Sequence, residues 1–287
     1  MEAQQLNAEA IEAWNGILFQ KFNRFRYVMT TGLAGHGDEN IRRHPPAESA
    51  RVLDVGCGFG DSVQQLARLV GPRGEVVGVD CAANFIELGR SEAERDGVRN
   101  VRFLVADVQT EPLGGPYDHV FSRFGTMFFA SPVAALRNLR RTMTGGGKLS
   151  MTVWRQREDN AWLHEAERCV KAIVPMTEQS DEPTCGPGPF SMAGPDMVSA
   201  QLIAAGFDRV TFERYDTAIC IGRSLDEAID FALTIGPAGE IMRLGGDEAE
   251  RRRPEVVSAL RDTLGAYARE GGVYTPSSSW IITARPV

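Results

Sequence analysis

Three carboxylates, Asp54, Asp80 and Asp107, stand at or just past the ends of short, mostly apolar runs at 51–55, 75–79 and 101–105. The first run leads into a glycine-rich turn, Gly56-Cys57-Gly58-Phe59-Gly60. Glycines there admit positive φ and let a ligand approach the backbone closely. The dinucleotide fingerprint G-x-G-x-x-G has its third glycine where helix and strand pack, and here Asp61 takes that place. Carboxylates at Asp54 and Asp61 would repel an anionic pyrophosphate and favour a ligand carrying a cationic ammonium.

For these groups to meet, the runs must be neighbouring strands of one sheet. Residues 51–55 read as a buried strand. Asp61 and Ser62 are placed to cap a helix whose Val63, Leu66, Ala67 and Val70 recur at i, i+3, i+4 and i+7. Gly71-Pro72-Arg73-Gly74 is a stop and a turn, 75–79 a second strand closed by Asp80, and 83–94 a helix. Residues 101–105, 117–122 and 148–154 give three more strands, with a helix over 132–142 that has Pro132 in its first turn. This alternation predicts an α/β fold with a doubly wound, mostly parallel sheet, and ligands beyond the carboxyl ends of the strands. Strands near 208–216 and 279–284, the last antiparallel, bring the expected total to seven. Asp80 lies 24 residues after Gly56, near the place where an acidic residue takes ribose hydroxyls; its other possible role is to cap the helix that follows.

S-adenosylmethionine has the features this site asks for: a zwitterionic amino-acid end, a sulfonium, a ribose and an adenine, and no phosphate. The stretch VLDVGCGFGD resembles the first motif of the class I S-adenosylmethionine-dependent methyltransferases, and residues 51–154 resemble their core throughout. The segments FSRFGTMFFASPVAALRNLRR and GGGKLSMTVW resemble the group related to the ubiquinone and menaquinone C-methyltransferases, the methyltransferase type 11 domains. The resemblance implies that Asp54, Gly56 and Gly58 surround the aminocarboxylate end and that Asp80 holds the ribose. It implies Asp107 as acceptor from the adenine amino group, with the Val108 N–H donating to a ring nitrogen, and Ser122 and Arg123 near the methionine portion. Cys81, next to Asp80, is expected against the adenine; for Asp107 the plain alternative is a strand-end turn. The substrate-facing signature that the quinone enzymes carry after the fourth strand is not matched, so the resemblance does not extend to a quinone acceptor.

Flanking segments are expected to build the acceptor pocket. Residues 1–50 read as a helix, packed on the core or closing over the ligand as a lid, then a linker from 32 to 50 whose His36 and His44 are expected at the surface. Within it, Trp14-Asn15-Gly16 resembles a WNG-like segment found ahead of the first motif in such relatives. After the core at 51–154, residues 155–287 complete the sheet and carry inserted helices (161–173, 225–235 and 254–267) as a substrate cap, with a proline- and glycine-rich loop at 175–195. Trp14, Phe128, Trp154 and Trp162 are the candidate acceptor contacts, alongside Phe124 and Phe129. No catalytic base is evident. His164 is the histidine best placed by sequence to serve as one, and His119 is expected to pack between sheet and helix.

Composition narrows the function classes. A net charge of −7 argues against a nucleic-acid partner, whose phosphates demand a basic surface. The five cysteines include no C-x-x-C pair, which indicates neither a zinc site nor a disulfide framework. No metal is expected, nor any membrane span, and the polar, acidic N-terminus is unlike a secretion signal, so a cytoplasmic protein is expected. The favoured activity is in-line methyl transfer from S-adenosylmethionine to a small, partly hydrophobic or aromatic molecule. Two competitors are a nicotinamide-dependent oxidoreductase on a related fold and an S-adenosylmethionine-binding protein without turnover.

Overall fold

The structure, a computed structural model, describes residues 2–175 and 187–287, with residues 2–6 as backbone. Of the loop expected over 175–195, residues 176–186 lie outside the described residues. Three helices come first: α1 (Glu2–Asn15), α2 (Ile17–Arg24) and α3 (Ala34–Arg43). The core alternates as the sequence predicts: β1 (Arg51–Val55), α4 (Asp61–Val70), β2 (Glu75–Asp80), α5 (Ala83–Arg95), β3 (Val101–Val105), β4 (Tyr117–Arg123), α6 (Pro132–Arg141) and β5 (Met143–Trp154). The second half adds α7 (Ala161–Ile173), α8 (Pro195–Ala204), β6 (Phe207–Gly222), α9 (Leu225–Thr234), α10 (Pro237–Leu244), α11 (Gly246–Gly265), β7 (Ala268–Arg269) and β8 (Gly272–Pro286).

One sheet runs in the order β3-β2-β1-β4-β5-β8-β6, with the two-residue β7 paired to β8 as a short eighth strand. The pairs from β3 to β5 are parallel, whereas β8 runs antiparallel to both β5 and β6. Successive strand side chains point to opposite faces, and both faces are apolar in the middle of the sheet. Val52, Val76 and Phe121 pack with Val63, Leu66 and Ile86 of α4 and α5. Leu53, Val77, Val120 and Leu149 belong to the opposite layer, with Val170, Phe231 and Leu260 of α7, α9 and α11. Among the described residues no helix is long and apolar enough to cross a membrane.

Four local expectations are corrected. Asp61 and Ser62 do not cap α4: its N-cap is Gly60, and both side chains turn to other partners. The stretch read as a linker is helical over α3, although it contains two glycines, a poor composition for a helix. Tertiary contact explains one of them, since a Cβ at Gly37 would lie 2.6 Å from Cδ of Arg123. His36 is therefore not at the surface. It is fully buried, with Nδ1 2.8 Å from Ser279 Oγ and Nε2 2.8 Å from Ser277 Oγ, and burial lowers its pKa to about 3. Lastly, the helix read as starting at Pro254 begins at Gly246 and carries that proline inside it, and α10 precedes it unannounced.

Candidate active site

A cavity of about 980 Å³ opens above the carboxyl ends of the parallel strands. Gly56, Cys57 and Gly58 reach it from β1, Asp80 and Cys81 from β2, Asp107 and Val108 from β3, and Arg123 and Phe124 from β4. The glycines are required by geometry. Gly56 has φ +65°, and a Cβ there would meet the Gly125 Cα at 2.8 Å. Gly58 has φ +50°, and a Cβ there would meet nothing within 4 Å, so the backbone at 58 faces open space.

The carboxylates differ in how they are engaged. Asp80 accepts from the Gly58 N–H through one oxygen and from the Ala82 N–H through the other, both at 3.0 Å. A carboxylate has about four acceptor sites, so further donors can reach it, and the Cys81 N–H and thiol lie close by. Burial raises the Asp80 pKa, against the backbone N–H groups of Ala82 and Gly58. Asp80 does not occupy the N-cap of α5, which is Ala82. Asn15 of α1 serves that end of the helix, accepting from the Ala83 N–H at 2.7 Å while its own carbonyl accepts from Asn84.

Asp107 already accepts from Asn7 Nδ2 (2.7 Å), the Gln109 N–H (3.0 Å), Gln109 Nε2 (3.1 Å) and Thr110 Oγ1 (2.9 Å). Another donor can reach this carboxylate only by displacing one of these. Gln109 Nε2 also donates to Asn7 Oδ1 at 2.6 Å, so α1 is latched over the strand end. Nothing in the sequence pointed to Asn7 or Gln109.

The other side of the cavity is aromatic. Phe124 stacks on Trp154 with ring centroids 3.8 Å apart and an interplanar angle of 17°. Trp162 lies 5.6 Å from Trp154, and Trp14 meets Phe128 edge-on at 5.1 Å. His36 stands edge-on behind the stack, 5.6 Å from Phe124 and 4.9 Å from Trp154.

Comparison with known proteins agrees with this geometry. Residues 46–185 match the model of a methyltransferase domain family. Over 171 residues the chain is 32% identical to a ubiquinone/menaquinone biosynthesis C-methyltransferase, UbiE, of Pseudomonas aeruginosa (strain LESB58), covering 56% of this chain and 66% of that protein. Residues 46–185 form a class I S-adenosylmethionine-dependent methyltransferase domain.

A second relative is the aklanonic acid methyltransferase DauC of Streptomyces sp. (strain C5), 36% identical over 110 residues, which are 37% of this chain and 49% of that one. The fold matches the crystal structure of the YcgJ protein from Bacillus subtilis, with a TM-score of 0.55 at 20% identity, covering 88% of this chain and 98% of that one.

The family's cofactor is S-adenosylmethionine, and the residues present fit it. The open space above Gly58, the spare acceptor capacity of Asp80 and the acidic surroundings suit a cationic ligand with ribose hydroxyls. Of the residues singled out in the sequence, Gly56, Gly58, Asp80, Cys81, Asp107, Val108, Arg123, Trp14, Phe128, Trp154 and Trp162 all line the cavity.

Three do not. Ser122 is fully buried and donates to the Val55 carbonyl at 2.7 Å, so it ties β4 to β1 and leaves the cavity face to Arg123. His164 does not line the cavity, to which α7 presents Trp162 and Leu163. Asp54 lies beneath the glycine turn, where Ser62 Oγ donates to one of its oxygens at 2.5 Å and the other has no hydrogen-bond partner among the described residues. Arg123 leans the other way from its strand, onto Asp61 at 2.6 Å. His119 is packed inside as expected, with Nε2 2.8 Å from Ser150 Oγ.

Burial pushes Asp54 up to about 7; Ser62 and Arg123 oppose the shift, and Asp61 and Asp80 add to it. The folded chain therefore keeps a proton that the unfolded chain, with an ordinary carboxyl near pKa 3.9, releases. This group stabilises the fold least at high pH: its contribution falls as pH rises from about 4 to about 7. Urea unfolding of wild type and Asp54→Asn at pH 5 and pH 8 checks this. The wild type should lose stability relative to the variant between the two, and a constant difference would contradict the assignment.

Proposed function

We propose that this chain transfers the methyl group of S-adenosylmethionine to a small acceptor with an apolar, aromatic body. The observation that carries the reading is one cavity with two unlike ends: a glycine turn among carboxylates, and a wall of Phe124, Phe128, Trp154 and Trp162. When bound, the cofactor supplies a methyl group on a positively charged sulfur, already electrophilic. Asp80 would take the ribose hydroxyls with its free acceptor sites, and the backbone at Gly56 and Gly58 would pass close to the amino-acid end. Asp61, which lines the cavity beside the glycine turn, contributes negative charge that favours an ammonium, while Asp54 beneath the turn holds its proton up to about pH 7. Cys81 and Val108 would flank the adenine, and Asp107 would exchange a present partner for its amino group.

The aromatic wall would orient the acceptor and exclude water, which is most of what an in-line displacement asks of a protein. No base is assigned: one is needed only where the acceptor must shed a proton, and His164 is not in the cavity. The names of the two relatives, a ubiquinone/menaquinone biosynthesis C-methyltransferase and an aklanonic acid methyltransferase, agree with a small-molecule acceptor. Calorimetric titration with S-adenosylmethionine and S-adenosylhomocysteine should give one saturable site, and reduced nicotinamide dinucleotide none. Binding of the dinucleotide alone would overturn the reading.

A further inference from the structure

Most charged residues of the cavity are sorted by end, the exceptions being Arg123, paired with Asp61 at the acidic end, and Glu240, paired with Arg243 at the other. Asp61, Asp80 and Asp107 come from the strand ends that hold the glycine turn. Lys21 on α2, Arg157 ahead of α7 and Arg243 on α10 come from the helical elements around the aromatic chamber. The two guanidinium groups are held in place: Arg157 by Glu167, with Phe190 5.5 Å beneath it, and Arg243 by Glu240 at 2.7 Å. Lys21 differs: its half-buried ammonium has no ion-pair partner within 4.0 Å among the described residues, and Glu240, already held by Arg243, is the carboxylate that feels its charge. In the same cavity the indole N–H of Trp162 is buried and has no hydrogen-bond partner among the described residues. An apolar chamber that keeps an unpaired ammonium and an unpaired N–H donor among its lining residues is built to receive an acceptor atom, and the ammonium favours a charged one.

We infer that the methyl acceptor is an aromatic carboxylate, its ring system lying along the Phe124–Trp154 stack and its anionic group met by Lys21 and Arg157. This rests on the reading of the site as a methyltransferase pocket and names the class of molecule that enters it. The cationic rim also gives the two ligands opposite preferences within one cavity: the cationic cofactor for the acidic end, and the anionic acceptor for the other. Electrostatic sorting of this kind selects partners as much as it tightens them.

The test uses the full chain saturated with S-adenosylhomocysteine. Two probes of the same shape, 2-naphthoate and its neutral carboxamide, are titrated and read by quenching of tryptophan fluorescence. The naphthoate is expected to bind at least about tenfold more tightly than the amide. Lys21→Gln should remove most of that preference while leaving the affinity for S-adenosylhomocysteine unchanged. Equal affinity for the two probes, a preference that survives Lys21→Gln, or no binding of either would overturn the inference and leave the cofactor reading intact. Failure of S-adenosylhomocysteine itself to bind the wild type would bring down that reading, and this inference with it.

Discussion

Replacing Trp154 by alanine should cost about 3–5 kcal/mol of stability, the range for deleting a large buried aromatic. Trp154 is 2% exposed at the end of β5 and touches three other rings. Phe124 stacks on it, Trp162 tilts against it and His36 presents its edge. Neighbours so tightly interlocked relax only partly into the space left. His36 and its two serine partners would then border a hole, with none of its hydrogen bonds replaced. Urea unfolding measures the loss, and Trp154→Phe, which keeps the stacking partner, should cost less. A loss below about 1 kcal/mol for the alanine variant would mean that the wall collapses readily and that the chamber is not held open by this stack.

Asp80→Ala should weaken binding of S-adenosylhomocysteine by about 1–3 kcal/mol, through the loss of the ribose contacts proposed for this carboxylate. The variant also frees the N–H groups of Gly58 and Ala82, so part of the effect will come from a loosened glycine turn. Asp80→Asn separates the two contributions. An asparagine can still accept one backbone bond, but it carries no charge and fewer acceptor sites. It should fall between wild type and alanine in calorimetry. An alanine variant that remains folded and binds with unchanged affinity would remove Asp80 from the site.

The strand-end half of the site was legible because chemistry and backbone geometry constrain the same few positions. A turn that must pass close to a ligand needs glycine at 56 and 58, and a carboxylate must end β2 to reach across to it. Where only resemblance was available, a one-residue error was possible. Ser122 and Arg123 are neighbours on β4, and alternation sends one into the sheet and the other to the cavity. His36 was misplaced because its helix is stabilised from outside its own sequence, by a side chain crossing Gly37 and by serines more than two hundred residues away. The same holds for the rim: Lys21, Arg157 and Arg243 share no spacing pattern, and only the packing of α2, α7 and α10 brings them to one cavity.

The placement of β8 sets an order of events during synthesis. Among the described residues β6 pairs only with β8, and β8 also covers the outer edge of β5. As the chain emerges from the ribosome, the five parallel strands can zip together once Trp154 has appeared. β6 has no neighbour to pair with until the strand starting at Gly272 arrives. During that interval β5 presents an unpaired edge, and the apolar faces of α7, α9 and α11 are uncovered, a state open to mispairing and to chaperones. The cofactor cradle comes wholly from the chain up to β5, whereas the acceptor chamber is completed by Arg157, Trp162 and Arg243 from the second half.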